Sequence, residues 1–446
     1  MSLLNNGLSG LQASQYAMNV VSQNIANLNT QGYSRQDALM VARNGGGFGT
    51  LNAGDGVEVT QLRRINDSYL TASLWRANTK SGYDSQYSTM ISQMEAVFGS
   101  DELSISNGLD SFFSALSAAS SAPQSIAPRQ QVLATAEALA NRFKQLSGNM
   151  DVQEKQLDEQ ADATLVDINT QAQSIATLNQ TIIEVKAKGG NTSALEDQRD
   201  ELVLALSKQV TVKTTQQDDG SLTITLSGGQ PLVMGSRSAT LSRAGDDITL
   251  KFVNETFSLN NIGGSLGANR DYKLGELASL RSDLNAQAQS LADQFNTQLA
   301  AGFDLNGNPG TPLFSYDPTN PAGSLALDPA ITPEALAFTG DDGTGNPVGG
   351  IGDNSNLLVM VEMKTGLYDD YSKLLGDLAV RSGQAQSLAT ASESLQLDAL
   401  NKRNSVSGVN QDEEAAKLMQ YIQSYQANAK VISAADEIFS TLMGMF

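Results

Sequence analysis

Three stretches of the chain hold side chains that could do chemistry. Asp304-Leu-Asn306-Gly-Asn308 opens like a calcium loop, in which carboxylate and amide oxygens at alternate positions surround the ion. Such a loop needs Gly at its sixth position and Glu at its twelfth; Pro309 and Ser315 stand there, so the stretch reads as a turn. Asp197-Gln-Arg199-Asp200-Glu201 could offer paired carboxylates for acid–base work, with an exposed, locally ion-paired helical face as the plainer reading. Gly45-Gly46-Gly47-Phe48-Gly49 fits neither the dinucleotide nor the P-loop spacing and reads as a flexible segment. The chain has no His and no Cys, which excludes a Ser-His-Asp triad, a Cys nucleophile and thiolate or imidazole metal sites. No catalytic residue, cofactor or metal ligand emerges.

A chain of 446 residues is long enough for two or three domains with their own cores. Its formal charge of -20 disfavours nucleic-acid phosphates and anionic bilayers, and so points to protein partners. No apolar window is long enough to predict a membrane span. The start of the chain lacks the basic and apolar segments of a secretory signal, so export would need a route that cleaves none.

The elements that would position a site are mostly helical. Leu4, Leu8, Leu11, Met18, Val21, Ile25 and Leu28 recur at mostly three- and four-residue steps, along one side of a helix. No charged side chain precedes Arg35, and 16 of the first 34 residues are Ser, Thr, Asn or Gln, so the remaining face is polar yet neutral. Such a face suits packing against copies of itself, where like charges would repel.

At the other end, Asn410 followed by Glu413 fits an N-cap with a reciprocal side chain, and Asp412-Glu413-Glu414 sets negative charge where a helix N-terminus favours it. From Ala415 onward Leu418, Ile422, Tyr425, Ala429, Ile432, Phe439, Met443 and Phe446 keep a coiled-coil-like stripe, broken at Asp436. Burying the apolar side of the first helix alone does not offset the entropy of ordering it. The two ends are therefore expected to pair with each other and with neighbouring subunits, and to stay loose in a free monomer. Asn27, Gly32, Tyr33 and Arg35 would form the joint between this pair and the body, with Gly32 as a left-handed helix stop.

Between the ends, residues 37–208, 270–301 and 351–406 read as a helical body. Ile65, Tyr69, Ala72, Trp75, Tyr83, Tyr87, Ile91, Met94 and Phe98 keep helical spacing over 64–98, with Gly99 as a stop. Residues 129–188 contain no Pro and place Leu139, Phe143, Leu146, Met150, Leu157, Ile168, Ile175, Ile182 and Val185 on a near-heptad pattern. Unbroken, that helix would be about 90 Å long. Residues 209–269 alternate instead, with Val210, Val212, Leu222, Ile224, Leu226, Ile248, Leu250 and Phe252 separated by Asp-Asp-Gly and Asp-Asp turns. This region, with part of the proline-rich stretch 302–350, is expected to form a small outer β domain. The predicted fold is mainly α with an inserted β domain: an elongated helical bundle body, terminal helices (1–36 and 407–446) in a coiled-coil-like pair, and the outer β domain.

SGLQASQYAMNVVSQNIANLNTQGYSRQ, residues 9–36, resembles the N-terminal signature of bacterial flagellar axial proteins of the rod, hook and hook-associated kinds. Leu62-Arg63-Arg64-Ile-Asn-Asp67-Ser-Tyr-Leu70, Phe112-Phe113 and Pro123-Gln-Ser125-Ile-Ala127-Pro-Arg129-Gln130-Gln-Val132-Leu133 are similar to the family of flagellar hook-associated protein 1. So are Asp197-Gln198-Arg199-Asp200-Glu-Leu202-Val203, Gln217-Asp218-Asp219-Gly220-Ser221, Ser407-Gly408-Val409-Asn410-Gln-Asp412-Glu413-Glu414-Ala415, Tyr425-Gln426-Ala427 and Ala435-Asp436.

The resemblance implies an extracellular structural protein of the hook–filament junction, exported unfolded through the flagellar type III channel without a cleaved signal peptide. It implies self-association in a ring between the hook protein and the second junction protein, terminal helices forming an inner tube, and an export chaperone at the C-terminal helix. It implies neither enzyme activity nor a cofactor. Members often carry a further outer domain, for which this chain leaves only the stretch after residue 301; Gln411 stands where members commonly have an apolar residue. The assembly surface is accordingly placed on the two apolar stripes. The motifs at 63–70 and 123–133 argue against a hook or distal-rod protein. An exported surface hydrolase would need two convergent carboxylates, one with a raised pKa.

Overall fold

The structure, a computed structural model, describes residues 2–43 and 54–445. The glycine run at 45–49 and Phe446 lie outside the described residues. The first element is helix α1, Ser2–Ala26. A turn containing Gly32 at φ 79°, a backbone angle that favours glycine, carries the chain into strand β1, Gln36–Ala42. β1 pairs antiparallel with β2, Val57–Arg64, from Gln36 opposite Arg64 to Ala42 opposite Val57, with a bulge between Leu39 and Met40. This hairpin replaces helix in a region expected to be helical body. Val57 and Val59 alternating with Glu58 and Thr60 give period two, which a search for helical spacing passes over.

Helix α2, Ser68–Phe98, starts four residues later than its apolar spacing suggests, because Asp67 accepts hydrogen bonds from the Tyr69 and Leu70 amides and so caps it. It ends at Gly99, whose N–H reaches the Glu95 carbonyl. Helices α3 (Ile105–Ser120), α4 (Ile126–Ala187, 62 residues) and α5 (Ser193–Gln209) follow. β3 (Val212–Gln216), β4 (Leu222–Leu226), β5 (Pro231–Met234) and β6 (Arg237–Ser238) form one antiparallel sheet. A second sheet holds β7 (Thr240–Ala244), β8 (Asp247–Phe252) and β9 (Glu255–Leu259). The inserted β region is thus present where alternation placed it. Val212, Leu222, Ile224, Leu226, Ile248 and Leu250 are buried.

Helix α6 (Gly264–Asp271), a π-helical turn (Tyr272–Leu277) and α7 (Ala278–Ala300) run on without a break. Short elements β10 (Phe314–Ser315), α8 (Pro321–Ser324) and β11 (Ala326–Leu327) precede helices α9 (Ser355–Glu362), α10 (Lys364–Ser407, 44 residues) and α11 (Gln411–Met443). The chain is mainly α, with long helices at both termini and sheets between them.

Two compact units divide these elements: residues 1–83, 164–264 and 391–446, and residues 84–163 and 265–390. The proline-rich stretch 302–350 therefore groups with helices of the second unit, not with β3–β9. The reason is its aromatic content. Phe314 sits 6.4 Å from Phe112 and from Phe295, and Phe112 and Phe295 are 5.0 Å apart, so the loop fills the aromatic core of that unit. Arg129, fully buried, donates to the carbonyls of Pro123, Pro333 and Leu336 and lies 4.2 Å from the Phe338 ring centre. Burial pushes it down to a pKa of about 10, against the pull of Asp304 and Glu334.

Candidate functional site: the terminal helix pair and its joint

Within the first unit, α1 and α11 lie antiparallel. A Cβ on Gly7 would come within 2.8 Å of Ile432 Cγ1, and one on Gly10 within 2.6 Å of the Asn428 amide, so the backbones meet along a seam of small residues. α1 also packs on the hairpin: Ala17, Val20 and Ala38 form a buried cluster against Met40, Val59, Leu62 and Tyr421. The Val57 amide donates to Ser9 Oγ. The contact faces of α1 are thus rotated away from its large apolar stripe.

Of that stripe, Val21 is buried, Leu11, Met18, Ile25 and Leu28 are half-buried, and Leu4 and Leu8 are exposed. On α11, Leu418, Tyr425 and Ile432 are half-buried, whereas Ile422, Phe439 and Met443 are exposed. Reading the sequence by hydrophobicity finds the large side chains. The seam is marked instead by the spacing of Gly7, Gly10, Ser14, Ala17 and Asn24, which have little hydrophobic signal but let helices approach.

The joint is a polar hub. Asn24, fully buried, uses all of its amide: Nδ2 donates to the Gln36 carbonyl (2.9 Å) and to Glu414 Oε2 (2.8 Å), and Oδ1 accepts from the Gln36 amide (3.0 Å) and the Tyr33 hydroxyl (2.8 Å). Glu414, 0% exposed, is also held by Lys417 at 3.0 Å. Arg35 pairs with Glu413 at 2.7 Å, and its amide donates to the Ser407 carbonyl. Asn410 does cap α11, accepting from the amides of Asp412 and Glu413, but Glu413 and Glu414 reach to Arg35 and Asn24, so the predicted reciprocal cap is not made. Asn27 is peripheral: it donates to the Gln23 carbonyl and accepts from Thr30.

A second layer fixes the turn to the rest of the unit. Arg403 donates to the Gly32 carbonyl and to Ser34 Oγ. The Ser34 amide donates to Asp197, and Arg64 bridges Asp197 (2.8 Å) and Asp200 (2.7 Å). A side chain at Gly32 would strike Glu201. Asp197, Arg199 and Asp200 are buried, which corrects the expectation of an exposed ion-paired face: Asp197 and Asp200 meet Arg64 of β2, distant in sequence, while Arg199 donates to Asn179 Oδ1 and the Gly220 carbonyl. Burial raises the Asp197 carboxyl above its ordinary value against the pull of Arg64 and the Ser34 amide. Two convergent carboxylates with one raised pKa is the arrangement a hydrolase would need, but here a guanidinium fills the space between them. The cluster fastens a joint.

Burial, with Asp197 and Glu414 adding to it, pushes the Tyr33 hydroxyl up to a pKa of about 12 from 10.0. The folded joint thus favours the neutral phenol. Its contribution is complete below pH 10 and is lost as pH rises toward 12. In an alkaline titration followed by the fluorescence of Trp75, the single tryptophan, Tyr33→Phe is expected to remove the transition in this window. An unchanged transition would assign it to another group.

Among the described residues, no group of His, Cys, Asp or Glu could hold a metal ion, and no helix is long and apolar enough to cross a membrane. Residues 4–33 match the family model of the flagella basal body rod protein, and residues 401–445 that of the flagellar basal body rod FlgEFG protein C-terminal region. Paired end to end in the fold, these segments define a protein of the flagellar axial class. Residues 91–314 match the flagellar hook-associated protein FlgK helical domain, half of the chain, and the chain belongs to that family, as a structural component of the bacterial flagellum.

It is 28% identical to flagellar hook-associated protein 1 of Escherichia coli K12 over 549 residues, covering 100% of both chains. That alignment is longer than 446 residues, so the relative holds segments this chain lacks. Flagellar hook-associated protein 1 of Bacillus subtilis 168 is 25% identical over 485 residues, 97% of this chain and 96% of the relative. The solved flagellar hook junction protein FlgK from Burkholderia pseudomallei is similar with a TM-score of 0.52 at 28% identity, over 55% of this chain and 47% of that one.

Proposed function

We propose that the chain joins hook to filament as a ring of copies, and that its working surface is the outward side of the α1–α11 pair. The observation that carries this is α11 itself, in which 33 residues bury only Glu414. Met419, Ile438, Phe439, Leu442, Met443 and Met445 stand 53–77% exposed, and Leu3, Leu4 and Leu8 of α1 are open beside a face without charge. A patch of this kind on a soluble chain marks a surface covered in an assembly. Copies of the same pair cover it, with the hook protein and the second junction protein as axial neighbours and an export chaperone on α11 beforehand.

The terminal pair is loose in the free chain and ordered on assembly, and the protein reaches the cell exterior without a cleaved signal peptide. It performs no reaction. Charging the stripe tests this reading. With Phe439→Asp and Met443→Asp together, electron microscopy is expected to show hooks without filaments while Trp75 fluorescence of the purified chain is unchanged. Filaments on those hooks would remove α11 from the interface, and long tubes of purified wild-type protein would favour a hook or rod protein.

A further inference from the structure

The seam between α1 and α11 does little to choose its own register. Gly7, Gly10, Ser14 and Ala17 are all small, so sliding one helix along the other meets a similar surface at steps of three or four residues. Two contacts mark one register. Asn428 faces Gly10, the position that a larger residue would fill, and Glu414 meets Asn24. Fourteen residues separate the two contacts on each helix, so both specify the same antiparallel register about 21 Å apart.

We infer that Glu414 is a positioning residue, the register lock of the terminal pair. A carboxylate with no solvent exposure must keep its hydrogen bonds or lose heavily, and a slipped helix takes it away from the Asn24 amide. Asn24 is held for it by three bonds made within the joint itself, to Gln36 and Tyr33, so the docking point is preset before α11 arrives. Lys417, one turn on, supplies the countercharge. A slip of seven residues would move the exposed end of α11, from Ile438 to Met445, by about 10 Å. The lock thereby sets where the assembly patch lies relative to the joint. This rests on the reading that the patch is an interface, and extends it by naming what fixes its position.

The absence of cysteine allows a direct test. Ala17→Cys with Tyr421→Cys reports the observed register, since these residues share one cluster. Ala17→Cys with Asn428→Cys reports a slip of seven. Oxidative cross-linking of the purified full chain traps the docked pair even where docking is transient, so the ratio of products reads register and not occupancy. The observed register is expected to dominate. Glu414→Ala should shift the ratio toward the slipped product by about ten- to a hundredfold, the loss of one buried charged hydrogen-bond set. Glu414→Gln, which keeps an acceptor for Asn24, should restore most of it. An unchanged ratio in Glu414→Ala, or neither product in the parent chain, overturns the lock. The outcome is independent of the assembly reading, which stands or falls on filament attachment.

Discussion

A chain ending at Asn410 is expected to fold and to leave the hook without a filament. α11 contributes one buried side chain, so its removal uncovers the small-residue seam of α1 and one donor of Asn24, while Gln36 and Tyr33 still satisfy the rest of that amide. Trp75 and the cluster around Arg64 lie in other elements of the unit. The stability read by Trp75 should fall by no more than about 2 kcal/mol, the cost of one exposed hydrogen bond and limited apolar area. Limited proteolysis of the full chain should trim about 40 residues from the end and about 30 from the start, because α11 buries only Glu414 and its loss uncovers α1. Electron microscopy of cells carrying the truncated chain is the deciding measurement. Filaments attached to their hooks would show that the C-terminal helix is dispensable for the junction.

Arg64→Ala should have the opposite profile, a large loss of stability before any question of assembly. The guanidinium, 8% exposed, is held above its ordinary pKa; burial opposes its charge, and Asp200 and Asp197 more than offset that. Taking it away leaves two buried carboxylates facing each other, which costs about 3–5 kcal/mol. The sign with pH follows from the same geometry. Without Arg64 the pull that opposes burial at the Asp197 carboxyl is gone and that group is raised further, so the folded state binds a proton more readily than the unfolded chain. The deficit is greatest at neutral pH and shrinks in mild acid, as pH falls through the raised value. Urea unfolding followed by Trp75 at pH 7 and pH 5 measures both. A loss under about 1 kcal/mol, or one independent of pH, would mean that the cluster is wetter than its burial indicates.

Local rules made several features legible in the sequence. Alternation gave β3, β4 and β8, and near-heptad spacing gave the long α4. Gly32 was readable because a left-handed turn depends on one residue and its neighbours. The motif at 197–203 stood out, but its meaning did not. Asp197 and Asp200 look like an exposed acidic face until Arg64, which is more than a hundred residues earlier, is brought between them.

Asn24 shows the same limit. Its amide lies among four others in the stretch 24–36, and nothing in its neighbours says that it will be fully buried while Asn29 and Gln31 stay exposed. Composition and periods of two to seven residues suffice for a mainly helical chain with apolar ends, a sheet insertion and no catalytic groups of the His or Cys kind. Folding alone chose which face of α1 is the seam, brought residues 302–350 into the aromatic core of the second unit, and docked Glu414 on Asn24. Each of those depends on pairing residues far apart in the chain, where small size or a buried hydrogen bond outweighs hydrophobicity, and neither has a period that the sequence displays.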